Sequence, residues 1–152
     1  LCPRGWCYAT RCNFMGDGHD IIWHDGRSDK NAKLVITNSN FDAMSPTPLG
    51  RYHHDSQFYL VECKLSENII DRNIRYAYTD KVLDPCPWGL RVYYYGCSRD
   101  GGHSGWLNDN LDEAEGAPQF HAITAQWTFD GKWNPEKRVR DLWNVLTYSI
   151  LK

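Results

Sequence analysis

Glu113 and Glu115 stand one residue apart in the acidic stretch "NLDEAEGAPQF", 110–120. Alternate side chains of an extended turn point the same way, so this pair can aim both carboxylates into one cleft. A second group of chemistry-bearing residues lies in "GDGHDIIWHDGRSD", which holds Asp17, His19, Asp20, His24 and Asp25. Clustered His and Asp can hold a metal. The spacing fits no standard zinc loop, and an EF-hand fails because Lys30 and Ile36 stand where Gly and Glu are needed. This stretch, and "RYHHD" at 51–55, therefore read as polar loops, with no metal and no cofactor expected. There is no Gly-rich phosphate loop and no G-x-S-x-G nucleophile.

The elements that must position these groups are mostly strands. "AKLVITNSNF", 32–41, alternates with Leu34 and Ile36 on one side and Val35 and Thr37 on the other. "SQFYLVECKLS", 56–66, predicts one strand, with Tyr59, Val61, Cys63 and Leu65 sharing a face. Further strands are expected at 74–83, 89–98 and 120–129, and a short helix near 66–72. The "SPTPLG" at 45–50 and "DPCPWG" at 84–89 read as loops or turns. Residues 1–31 show no period and read as a disulfide-tied coil.

The C-terminal segment predicts a helix. Asn134 is a good N-cap, Pro135 a good first residue, and Glu136 suits the positive end of the dipole. Val139, Leu142, Trp143, Leu146 and Ile150 make an apolar stripe, expected to be buried on a sheet.

The chain has 152 residues, 17 Lys+Arg against 19 Asp+Glu, and six Cys. That length fits one domain over 1–152. The charge balance points neither to nucleic acid nor to a membrane surface, and no run of about 20 apolar residues predicts a membrane span. Cys2, Cys7, Cys12, Cys63, Cys86 and Cys97 form no C-x-x-C pair and read as three disulfides in an oxidising compartment. Each group of three is odd, so at least one bridge is expected between them, worth about 4 kcal/mol for a loop of ~50–90 residues. The start "LCPRGWCY" reads as a mature end whose leader was removed. The expected fold is β-rich α+β, an antiparallel barrel or two packed sheets with a C-terminal helix.

Three resemblances bear on function. "DEAE" followed by Pro118, Ile123 and Trp127 resembles the Glu-x-Glu turn of enterotoxin-type ADP-ribosyltransferases. That resemblance implies Glu115 on the nicotinamide ribose, Glu113 toward the acceptor, and Arg11 as the cation. The Ser-Thr-Ser strand of that family has no counterpart in "FYLVECKLS". The same "FYLVE" is similar to the strand of small secreted fungal ribonucleases that carries a catalytic Glu, here Glu62, with Arg91 as cation. Gln126 stands where that family has its His, and His121 lies five residues earlier. The whole chain resembles small cysteine-rich fungal necrotrophic effectors, through C-x4-C-x4-C at 2–12 and the single Cys63, Cys86 and Cys97. It implies a secreted, monomeric toxin that binds a host plant protein and causes necrosis without catalysis. Mono-ADP-ribosyltransferase activity through Glu113 and Glu115 is the alternative.

Overall fold

Four short segments line up along the chain: TRCNF at 10–14, TNSNF at 37–41, VECKL at 61–65 and YGCSR at 95–99. A computed structural model describes residues 1, 3–26, 29–54, 56–77 and 86–150, with the backbone alone for 145–150. In it these segments stack directly on one another. Strands β1 (Cys7–Thr10), β2 (Asn13–Gly16) and β3 (Ile22–Asp25) make one coil. The next coil holds β4 (Lys33–Thr37), β5 (Asn40–Ala43) and β6 (Gly50–His53). A third holds β7 (Gln57–Val61), β8 (Lys64–Leu65) and β9 (Arg75–Tyr76), followed by β10 (Val92–Tyr95) and β11 (Ser98–Arg99).

The sheets run across the coils, in the orders β1-β4-β7-β10, β11-β8-β5-β2 and β3-β6-β9. Every ladder between these strands is parallel. The fold is a three-sided parallel β-solenoid, in which each coil buries its apolar face against its neighbours.

The expected antiparallel pairing is thus corrected, and the corners give the reason. Between the first and second sheets, Arg11, Asn38, Glu62 and Gly96 all have positive φ, at 54°, 48°, 53° and 59°. A two-residue hairpin that reverses the chain needs a primed turn. One left-handed residue instead swings the chain into the next sheet, and the strand never folds back on its neighbour. The corner also breaks the alternation expected over 56–66. Tyr59 and Val61 point outward from the first sheet, whereas Cys63 and Leu65, beyond Glu62, join the interior with Phe58 and Leu60.

Leu34, Ile36, Phe41, Phe58, Leu60, Leu65, Val92 and Tyr94 fill the solenoid. Strands β4 and β7 are buried on both faces, as parallel strands usually are. The outer face of the first sheet is covered by the segment C-terminal to β11. There Tyr59 stacks on Tyr93, with ring centroids 5.1 Å apart, and Trp127 meets Tyr59 edge-on. Lys33 is nearly buried on that face. Its Nζ donates to Asp130 Oδ1 at 2.9 Å and lies 4.3 Å from the centre of the Trp6 ring.

Several local expectations are revised. Residues 1–31 hold three strands rather than a coil. The predicted strand at 120–129 is a 3-10 turn, Phe120–Ala122, followed by helix α1, Ala125–Thr128. Thr124 caps α1 by accepting from Trp127 N–H, a local bond that a strand there would lack. No helix forms at 66–72; Ile69 N–H closes a turn on Ser66 instead. The end of the strand expected at 74–83 lies outside the described residues.

Helix α2, Pro135–Ile150, forms where expected, with Asn134 Oδ1 accepting from Lys137 N–H. Its stripe does not pack on the sheet: Val139, Leu142 and Trp143 are 52, 57 and 64% exposed. The expected burial of Leu146 and Ile150 concerns side chains outside the described set.

The disulfide expectation is overturned, because no disulfide joins the described residues. Cys7, Cys12, Cys63 and Cys97 are free thiols, Cys86 is buried without a bridge to any of them, and Cys2 lies outside the described residues. Cys12, Ser39, Cys63 and Cys97 each follow the left-handed corner residue of their coil and form one ladder. Ser39 Oγ accepts from Cys12 N–H, and the Cys97 thiol donates to Leu60 O. The hydrogen bond with Cys97 and burial push the Cys63 thiol far up, so it stays protonated.

Two outcomes follow from this packing. A Cβ on Gly50 would come within 2.7 Å of Ile22 O. Gly50→Ala should therefore cost about 1–3 kcal/mol, read as a lower urea midpoint. Peptide mapping of the unreduced protein should find Cys7, Cys12, Cys63 and Cys97 all open to a thiol-alkylating reagent; a bridge between any two of them would contradict that arrangement.

Candidate functional site

The outer face of the third sheet gathers residues from both polar stretches. In β3, Ile22 and His24 point inward, so Trp23 and Asp25 point out. The register sets Arg51 beside Trp23 and His53 beside Asp25. Asp20, in the turn before β3, completes the group.

Arg51 Nε lies 3.3 Å from Asp20 Oδ2, with side-chain exposures of 34% and 6%. The other oxygen, Asp20 Oδ1, is buried and has no hydrogen-bond partner among the described residues. The Arg51 guanidinium carbon is 5.1 Å from the centre of the Trp23 ring, within the range of cation–π attraction. One cation thus holds a desolvated carboxylate on one side and an aromatic face on the other. Burying a carboxylate with one oxygen unsatisfied is costly, so Asp20 is held in its place by the surrounding fold.

Trp23 is fixed at its other end as well. Its Nε1–H donates to His53 Nδ1 at 3.1 Å. That bond needs a lone pair on Nδ1 and so selects the neutral ring with its proton on Nε2. Desolvation and then Arg51 hold His53 below the usual histidine range, against the pull of Asp25. Beside it His54 Nδ1 meets Asp25 Oδ1 at 2.9 Å, and Arg4 Nε approaches Asp25 Oδ2 at 3.9 Å. Beneath the face His24 is wholly buried, with Nε2 donating to Gly5 O. Burial lowers its pKa, and its ring packs edge-on against Phe58.

The candidates read from the sequence are dispersed. Of the first polar stretch, Asp20 and Asp25 reach this face, while His24 faces the interior and His19 is exposed. Asp17 accepts from Ser45. No group of three or more metal-ligating side chains occurs among the described residues. Glu113 and Glu115 are exposed in the turn after Leu111. Arg11, Glu62 and His121 line a separate cavity of about 200 Å³, which neither Glu113 nor Glu115 lines. Arg91 donates to Ser56 O, and Gln126 accepts from Asn134. Trp23 and Arg51 were missed, because only the coil register brings residues 28 apart side by side. The usable signal was the repeat itself, which aligns "IIWHD" with "LGRYH".

Two tests address this geometry. Arg51→Leu strands the Asp20 carboxylate, and should cost roughly 2–3 kcal/mol, the lower end for a buried pair because the guanidinium is partly exposed. Adding Asp20→Asn should restore most of that loss, as the change in urea midpoint would show. Second, His24 and His53 both take up a proton less readily folded than unfolded. Stability is therefore complete above pH ~6.5 and falls as the pH drops below it. Thermal midpoints from pH 8 to 5 should fall only in the lower part, and His24→Gln should flatten the fall. No family model matches the chain, and no curated protein or solved structure matches it either.

Proposed function

We propose that the outer face of β3 and β6 binds a saccharide chain and that Asp20 supplies the reactive carboxylate of a hydrolytic site there. The observation that carries this reading is the buried Asp20, with one oxygen on Arg51 and the other unpaired among the described residues, beside Trp23. A sugar ring offers an apolar C–H face that stacks on an indole and hydroxyls that bond carboxylates and guanidinium groups. The flat side of a solenoid, repeated coil after coil, suits an extended polymer.

The arrangement also bears on the reaction class. Glycosidases set two carboxyl groups about 5–9.5 Å apart. Asp25 lies at the far end of β3 from Asp20, a span of roughly 10–16 Å at strand spacing, so the two are poorly placed as such a pair. One carboxylate beside one guanidinium suits acyl chemistry instead. The Asp20 carboxylate takes a proton from water as the water oxygen adds to the ester carbonyl, and the Arg51 guanidinium stabilises the oxyanion. Its collapse breaks the C–O bond and releases the alcohol, which takes up that proton, leaving the free acid. The substrate class is then a polysaccharide bearing ester-linked groups. The effector reading leaned on a disulfide framework, and no disulfide joins the described residues to one another.

The test is co-sedimentation with insoluble polysaccharides, with and without their ester groups, together with release of the acid or alcohol. Trp23→Ala should weaken retention at least tenfold. Asp20→Asn should keep retention and abolish release. If no polysaccharide retains the parent protein, or Trp23→Ala leaves retention unchanged, the reading fails.

A further inference from the structure

On another side of the molecule the start of α2 roofs a groove over the first sheet. Two adjoining cavities, of about 500 and 200 Å³, share Tyr8, Thr10, Arg11 and Glu136 as walls. The outer one adds Val139 and Arg140, and the inner one adds Asn38, Glu62 and His121.

Four formally charged side chains face this groove, two cationic and two anionic, and they do not neutralise one another. Among the described residues neither Arg11 nor Arg140 makes an ion pair, and Glu62 has no side-chain partner. Glu136 accepts, among the described residues, from the Tyr8 hydroxyl at 3.4 Å. Arg11 and Glu62 are set by the solenoid corner, whose left-handed backbone fixes where each side chain departs. Arg11 and Glu62 are held two coils apart, and Glu136 and Arg140, one turn apart on α2, make no ion pair with each other.

We infer that this groove binds a small zwitterion, an α-amino acid with an apolar side chain. Its carboxylate meets Arg11 and Arg140, its ammonium group meets Glu62 and Glu136, and its side chain lies against Tyr8 and Val139. A simple anion would meet two carboxylates and a simple cation two guanidinium groups, so only a ligand bearing both charges satisfies all four. The site is independent of the Asp20 face, and either can fail without the other.

The experiment is titration calorimetry with L-leucine and L-phenylalanine, set against N-acetyl-leucine, which lacks the ammonium group, and leucine amide, which lacks the carboxylate. The free amino acids should bind, and each blocked derivative should bind at least tenfold more weakly. Arg11→Gln and Glu62→Gln should each reduce binding of the free amino acid at least tenfold. The ligand series needs no variant, so a poorly folding substitution does not blunt it. Binding of the blocked derivatives as tight as that of the free amino acids, or no binding by any of them, would overturn the inference.

Discussion

The coil register is the constraint on which everything else in this molecule rests. Each strand pairs with the strand one coil away, so a residue's neighbours are its equivalents in the preceding and following coils. One left-handed residue per coil at the first corner keeps that register, and Arg11, Asn38, Glu62 and Gly96 occupy it in turn. For residues with a side chain this conformation is unfavourable, at roughly 1–2 kcal/mol. It persists because the interior packing of each coil fixes the chain on both sides of the corner. Where the fourth coil has Gly96, that strain is absent.

The same register makes the two faces of the first sheet into two cores. Inward side chains stack as ladders of like residues, such as Leu34 on Phe58 on Val92. Outward ones would leave Val35, Tyr59 and Tyr93 in water. The segment after β11 removes that exposure by laying Leu111, Ile123 and Trp127 across them. Lys33 joins the two parts: its ammonium group sits against Trp6 and Trp127 and bonds Asp130. A long aliphatic stem with a charged tip is suited to such a seam.

Both candidate sites are products of register rather than of local sequence. Trp23 and Arg51 are 28 residues apart, and Arg11 and Glu62 are 51 apart; each pair is brought together by coils stacking, not by a turn. Beside the third sheet Asp20 pairs with Arg51, and Asp25 meets Arg4 and the His54 ring. Under α2 the charges stay apart.

The sequence by itself determined the local features. The alternation of Leu34 and Ile36 against Val35 and Thr37, the strand cores at 57–61 and 92–95, and the start of α2 at Asn134–Pro135 are set by side-chain period and capping, which act over a few residues. The tertiary structure alone decided how these pieces were used. A short apolar strand pairs equally well with parallel or antiparallel neighbours, and nothing local separates the two. Cys12, Cys63 and Cys97 looked like a disulfide framework because their ladder is visible only once the coils are stacked. The stripe on α2 has the spacing of a buried face, yet whether a sheet lies beneath it depends on where the preceding 130 residues have gone. The repeat from TRCNF to YGCSR was the one long-range signal in the chain. Its period shifts from 27 to 24 to 34 residues as turns of different length join the strands, so only spatial alignment makes it plain.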